Sequence, residues 1–368
     1  MHLAVISFTE RGGKLNRSLC EDFQRQGIPV DSFEKRKGTE VPSEAGGEVS
    51  PKLVTERLGE WTGRAFGAYD GLIFVGACGI AVRAIAPFLK DKFTDPAVVT
   101  VDEGAGFVVS LLSGHVGGAN DLCRRVAEAL GAVPVISTAT DVNGRFAVDV
   151  FAKHNGLGIL DRGLAKEVSA AVLSGKKIPF FSAQPLLGEP PEELIVFEKE
   201  DEFWRESGIK IAVSERRLLA GEGSAGVLYL VPKTVTAGMG CRRGTEQAKL
   251  RRALEQAFSE AGIFPEALKG IATIEKKKDE EGLTGLAAEL EVPFSWYTKE
   301  ELLALSGEFS YSDFVEKTVG VGCVCERAAV LGSGGGSLLF PKQATEGITL
   351  AAARGEKELR FGKEREKE

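Results

Sequence analysis

Residues 111–121 read LLSGHVGGAND and set one of the chain's three histidines inside a glycine-rich turn. An apolar run ends at Leu112, and the spacing predicts a helix from about Gly117–Asn120. Such a strand-to-helix junction presents unpaired backbone N–H groups and the positive end of a helix. Glycines let a ligand approach the main chain closely. His115 is therefore a candidate general acid or base, because imidazole titrates near neutrality. Gly114, Gly117, Gly118 and Asn120 are candidates for substrate contact, and the N–H groups around 114–118 for stabilising an oxyanion. A histidine that only closes a loop by hydrogen bonding is the competing expectation, and both stay open. Upstream, VDEGAG carries Asp102 and Glu103. Glu103 is the second acid–base candidate, through orienting His115 or activating water, against solvated decoration of a turn. Asp121 is expected to favour the first helical turn.

Further glycine-framed junctions carry basic residues. In VGACGIAVRA (75–84), Gly76 and Gly79 flank a helix start, and Arg83 is placed to take a carboxylate bidentately. In AGMGCRRGTEQ (237–247), Gly238, Gly240 and Gly244 make GxGxxxG, one residue longer than the dinucleotide fingerprint, so Arg242 and Arg243 favour an anion-binding turn over a dinucleotide site. IATIEKKKDEEGL (271–283) puts Lys277 and Lys278 at a strand end, where they could grip a carboxylate or form a solvated charge run. VGVGCVCERAA (319–329) is another such start, with Glu326 in the first turns, and Gly76, Gly79, Gly238, Gly240 and Glu326 join the candidates for substrate contact. No Walker motif, HExxH or GxSxG occurs.

Elements of regular spacing must hold these turns. LAVISF, LIFV, the runs near 97–102 and 107–112, and VPVIST read as strands. Helices are expected in 16–26, 52–66 and 80–89, and after LLSGHVGG. Alternation of this kind implies a mostly parallel sheet flanked by helices. A second α/β unit spans TVTAG through ITLAAA. The fold class is thus two parallel or mixed-sheet α/β units joined by a smaller α/β middle region. The expected domains are 1–150, 151–231 and 232–354, with a charged, frayed tail at 355–368.

Bulk properties narrow the classes. The 368 residues carry a net charge of −7, which argues against a general nucleic-acid binder. Residues 71–89 are nearly uncharged, but Gly76, Gly79, Arg83 and Pro87 fit a buried strand and short helix better than a membrane span. Six cysteines include no CxxC; Cys323-Val324-Cys325 lacks a second pair, so buried free thiols in a reducing cytoplasm are expected and no metal site.

Together the blocks 71–121, 237–245, 271–283 and TVGVGCVCERAAVL (318–331) resemble the CbiG family, the cobalt-precorrin 5A hydrolases of anaerobic cobalamin biosynthesis. The C-terminal unit also resembles standalone CobE-like proteins. Departures are slight: a lysine in the IATIE-KK run where an aliphatic residue is expected, and Cys323 in place of a serine. The resemblance implies opening of a tetrapyrrole δ-lactone by water and loss of a two-carbon fragment as acetaldehyde, giving cobalt-precorrin 5B. It implies cobalt carried by the substrate, no cofactor, a cytoplasmic enzyme, and no nucleic-acid or membrane partner. A second copy and other pathway enzymes are the further partners to consider. The many carboxylates of such a substrate would employ Arg83, Arg242, Arg243, Lys277 and Lys278. A non-catalytic tetrapyrrole carrier and a dinucleotide-dependent reductase built on GMGCRRG are the alternatives.

Overall fold

The computed structural model describes residues 1–36, 49–91, 94–114, 117–137, 145–218 and 226–362. The chain divides into two compact units, Met1–Arg145 and Phe146–Glu368.

The first unit is built on one seven-stranded sheet. Its elements in chain order are β1 (Leu3–Ser7), α1 (Glu10–Arg25), β2 (Val30–Glu34), β3 (Lys52–Leu53), α2 (Leu58–Ala68), β4 (Gly71–Val75), α3 (Cys78–Ile85), β5 (Ala97–Val101), β6 (Phe107–Leu112), α4 (Ala119–Leu130) and β7 (Val133–Val135). The strand order is β3-β2-β1-β4-β5-β6-β7. Every residue of β1, β4 and β5 is buried, as expected of strands covered on both faces. Leu3, Val5, Ile73, Val75 and Val99 pack on one face with Leu19 and Phe23 of α1 and Leu122 and Val126 of α4. Ala4, Ile6, Leu72, Phe74 and Val98 pack on the other with Trp61 of α2 and Ile85 of α3. The period-2 alternation of the strands thus feeds two helical layers.

One expectation changes here, and the sheet is the mixed one. The helix expected over 52–66 begins only at Leu58, where the Glu60 carboxylate accepts from the Arg57 N–H; Lys52–Leu53 instead adds an edge strand. The first five strands are parallel, but β5 and β6 form an antiparallel hairpin, with Val98 opposite Leu112 and Val101 opposite Val108. β7 runs parallel to β6.

The second unit opens with the middle region: α5 (Val148–His154), β8 (Leu157–Ile159), α6 (Arg162–Leu173), β9 (Ile178–Ser182), β10 (Leu186–Leu187), β11 (Leu194–Phe197), α7 (Glu200–Arg205), β12 (Lys210–Val213) and β13 (Val227–Pro232). Its sheet is β11-β9-β12-β13-β8, parallel except for β8. The C-terminal region follows: β14 (Val235–Cys241), α8 (Gln247–Glu260), β15 (Leu268–Ile274), α9 (Glu281–Glu289), β16 (Phe294–Tyr297), α10 (Lys299–Ala304), α11 (Asp313–Val319), α12 (Val324–Ser333), β17 (Ser337–Thr345) and β18 (Ile348–Arg354). Its sheet is β16-β15-β14-β18-β17, with β14, β15 and β16 parallel and β17 and β18 an antiparallel hairpin. Leu250, Leu254 and Phe258 of α8 and Leu283 and Leu286 of α9 cover one face, and α12 lies on the other.

The tail departs from expectation. Residues 359–360 form β19, paired in parallel with β10. Leu359 is fully buried, and Phe361 stacks on Phe151 at 5.1 Å. Asn155 accepts from the Arg360 N–H and donates to its carbonyl. Two apolar residues in a charged run suffice to dock it, because β10, outside the five-stranded sheet, offers a strand to pair with and Phe151 and Phe180 offer an aromatic surface.

Candidate functional site

At the carboxyl edge of the first sheet, the turns after β1, β4 and β5 lie side by side. The Thr9 hydroxyl accepts from the Gly12 N–H and donates to Glu103 Oε1 at 2.8 Å. Asp102 closes its own hairpin turn, accepting from the Gly104 and Phe107 N–H groups. Gly76 is buried, with its N–H donated to the Val101 carbonyl and the Phe8 ring 3.1 Å from where a Cβ would stand. It serves strand packing. The Arg83 guanidinium is exposed and folds back on the Gly79 carbonyl of its own helix at 3.3 Å.

The described residues of the SGHVGGAND stretch sit at the other edge. Because Leu112 pairs with Val98, the chain leaves β6 beside the amino end of β5. His115 itself lies outside the described residues; its neighbours Gly114 and Gly117 lie at this amino edge. The Ala119 N–H donates to the Ser113 carbonyl and the Asn120 N–H to the Gly114 carbonyl. A Cβ on Gly117 would stand 2.7 Å from the Ser113 carbonyl oxygen. These two helix-start donors are used within the turn, and buried Asn120 accepts from the Ser110 hydroxyl. The strand span from Val98 to Val101 is about 10 Å, with Glu103 beyond one end and Gly114 beyond the other.

The C-terminal region gathers its basic residues more closely. A cavity of about 630 Å³ opens at the carboxyl ends of β14 and β15, between the β17–β18 hairpin and α11. Arg242 and Arg243 enter it from the turn after β14, Lys277 from the turn after β15, and Lys342 from β17. Gly240, Thr273 and Thr349 line its floor, and Val324 brings the start of α12 to its wall. Among the described residues Arg242, Arg243 and Lys342 form no ion pair, though Arg243 is near enough to Glu280 to act on it by charge, and Glu346 is the one acid lining the cavity. Helix α12 adds its positive end. Cys241 lines the same space, and burial pushes its thiol above the ordinary range.

Two buried carboxylates brace this lining. Glu280 Oε1 accepts from the Gly244 N–H at 2.6 Å and Oε2 from Lys277 Nζ at 2.9 Å. Burial alone would raise it, but Lys277 and the Gly244 N–H hold its carboxyl below the usual range. Glu326, 1% exposed, accepts from the Ser310 hydroxyl, the Ser310 N–H and the Lys342 N–H. Glu326 is thus an internal clamp and not the ligand contact expected of it. Gly238 is also internal: a Cβ there would stand 1.8 Å from the Cys325 carbonyl oxygen of α12, so it permits helix-on-strand contact. With Gly238 inside β14, the GMGCRRG glycines do not form a dinucleotide turn. Lys278 pairs with exposed Glu275 at 3.6 Å, away from the cavity. Sequence reasoning missed Lys342 and Glu280. Lys342 enters through hairpin register; Glu280 carried one signal, its place three residues after Lys277 and just before a helical run. Among the described residues no group of three or more His, Cys, Asp or Glu is placed to hold a metal ion. No helix of the described residues is long and apolar enough to cross a membrane.

Comparison with known proteins gives the context. The profile for the cobalamin synthesis G N-terminal region matches residues 60–141, that for the cobalamin biosynthesis central region 146–232, and that for the cobalamin synthesis G C-terminus 235–353. A protein named cobalt-precorrin-5A hydrolase from Priestia megaterium is 36% identical over 365 residues, covering 95% of this chain and 94% of that one. The chain belongs to the CbiG family. A second CbiG-family relative, named cobalt-precorrin-5A hydrolase in Salmonella typhimurium, is 42% identical over 291 residues, 78% of this chain and 82% of the other. The crystal structure of a cobalamin biosynthesis protein G homologue from Sulfolobus solfataricus covers 96% of this chain and 97% of its own, at 21% identity and a TM-score of 0.40.

Proposed function

We propose that the protein is a cobalt-precorrin-5A hydrolase. Water adds to the δ-lactone carbonyl of the cobalt tetrapyrrole and the ring opens to a carboxylate. The freed hydroxyl on the extruded carbon then gives up its proton and becomes the carbonyl of acetaldehyde as the C–C bond to the macrocycle breaks; the electron pair of that bond stays on the macrocycle, and the product is cobalt-precorrin 5B. The observation that carries this is the 36% identity to a relative named for that activity across 95% of this chain.

The C-terminal cavity suits such a substrate. Arg242, Arg243, Lys277 and Lys342 offer four cations to a molecule rich in carboxylates. Cobalt arrives with the substrate, and no cofactor or metal of the protein's own is assigned. His115 remains the first choice for the acid–base group. Glu103, at the other sheet edge, would act on a separate part of the substrate or only shape the turn with Thr9. Six free cysteines support a cytoplasmic setting, and the net charge of −7 supports a small-molecule partner over nucleic acid. Other partners are a second copy of the chain or neighbouring enzymes of the pathway.

The test is acetaldehyde release from anaerobically prepared cobalt-precorrin 5A, trapped as a hydrazone. Wild type is expected to release it, and His115→Ala to bind substrate but lose release. Release by both proteins would keep the enzyme and remove His115 from the chemistry. Binding without release by either would make the protein a carrier, and binding of NADH or NADPH would revive the reductase.

A further inference from the structure

We propose that Glu280 is a positioning residue that mounts the cavity's cations. It is 8% exposed and does not line the cation-lined cavity. Its two oxygens instead join the two turns that do. Oε1 takes the N–H of Gly244, and Oε2 takes the ammonium of Lys277. Gly244 has φ +74°, so the turn bearing Arg242 and Arg243 bends back through a left-handed residue at the point where Glu280 holds it. That turn is closed further by the Thr245 hydroxyl, which donates to the Arg242 carbonyl at 2.7 Å. One carboxylate thus fixes the exits of β14 and β15 relative to each other. A second cavity of about 530 Å³, lined by Arg243, Gly244 and Glu280, lies on the other side of this brace.

The physical reason for such a brace is entropy. A long lysine side chain loses rotamer freedom on gripping a ligand, and a turn held in place loses less on binding than a mobile one. Glu280 carries that cost in the folded chain. Lys277 still keeps N–H donors for a ligand, because an ammonium has three and one is used. This inference rests on the cavity being a carboxylate-binding site.

The full chain is compared with Glu280→Gln and Glu280→Ala. Binding is read by fluorescence titration with uroporphyrin III, an octacarboxylate tetrapyrrole, well below the unfolding temperature of each protein. Glu280→Ala is expected to weaken binding about 5- to 10-fold. In acetaldehyde release it should raise KM by the same factor and leave kcat within about twofold. Glu280→Gln keeps an acceptor for the Gly244 N–H, but its amide nitrogen cannot accept from Lys277, so it is expected to weaken binding less than Glu280→Ala, by about 2- to 4-fold. Hydrogen exchange in residues 241–247 should accelerate in the alanine variant and not in the glutamine one. A merely structural residue would lower the melting temperature and leave the affinity of the folded protein alone. Unchanged binding by folded Glu280→Ala overturns the proposal, as does equal loss in both variants. Should the alanine variant not fold, Glu280→Asp, too short to reach both partners, is expected to show the same loss. Failure of wild type to bind the porphyrin overturns the carboxylate cavity and this proposal with it. The expected binding pattern without acetaldehyde from any protein removes the hydrolase function and leaves the role of Glu280 standing.

Discussion

Leu112 pairs with Val98 across the antiparallel β5–β6 ladder, and that one register puts Glu103 and Gly114 at opposite edges of the sheet. Glu103 follows β5 at the carboxyl edge, and Gly114, next to His115 in sequence, follows β6 at the amino edge. Groups more than about 10 Å apart with no shared partner act independently. The effects of Glu103→Gln and His115→Ala on acetaldehyde release are therefore expected to multiply in the double variant. Thr9→Val and Glu103→Gln share the 2.8 Å hydrogen bond and are expected not to multiply. A double variant of Glu103 and His115 no slower than the worse single one would place both in one machine and refute the edge assignment.

Strands were legible where both faces are buried: LAVIS, GLIFV and AVVTV are unbroken apolar runs and appear as β1, β4 and β5. Strand direction was less legible. Only the short turn DEGAG marked the β5–β6 hairpin, since a parallel crossover needs a dozen residues or more. Arg242, Arg243 and Lys277 were found because they follow strands; Lys342 was not, because it arrives from a hairpin a hundred residues later. Glu280 and Glu326 were harder still. Carboxylates are rarely buried unless partnered, and their partners include backbone N–H groups of distant turns that composition does not reveal.

Gly238 tests the close approach of α12 to β14. Gly238→Ala puts a methyl against the backbone of Cys325 and Ala329, which cannot swing away. A loss of about 3 kcal/mol or more is expected. Gly240→Ala meets only the end of the Thr349 side chain, and a loss of under about 1 kcal/mol is expected. Urea midpoints of the two variants check this; similar values would mean that Gly238 is not a packing glycine.

The docked tail predicts a stability effect far from any chemistry. Leu359 is fully buried among Phe151, Phe180 and Leu186 in the middle-region core. Leu359→Ala is expected to cost about 3 kcal/mol, and a chain ending at Arg354 to expose Phe151 and Phe180 to proteolysis. Limited digestion of that truncated chain should cut first in 146–197. Resistance equal to full length would return the tail to the frayed state that its charge suggests.

Glu326 predicts an acid limb. Burial would raise its carboxyl, but bonds from the Ser310 hydroxyl and the Lys342 and Ser310 N–H groups hold it below the ordinary glutamate range. Its stabilisation is therefore fully present above the unfolded value of about 4.3 and is lost as pH falls through the lower folded value. Glu326→Gln is expected to cost about 2 kcal/mol at pH 7 and progressively less as pH drops below about 4. Urea unfolding at pH 7 and pH 3.5 decides this. A constant gap between the two proteins would mean that the proton on Glu326 does not govern the clamp.

Thiol reactivity tests the cavity directly. Burial pushes Cys20 up to about 12, and it raises Cys123 as well. Cys323 and Cys325 are buried, with sulfurs 3.8 Å apart. Cys78 is exposed at the start of α3, and Cys241 is half-buried in the cation-lined cavity. Alkylation follows the accessible thiolate, so iodoacetamide at pH 7.5 is expected to label Cys78 first, Cys241 more slowly, and the other four only on unfolding. Uroporphyrin III should protect Cys241 and leave Cys78 unaffected, as peptide mass spectrometry would report. Equal labelling of Cys241 with and without the porphyrin would place the bound tetrapyrrole away from Arg242, Arg243 and Lys277.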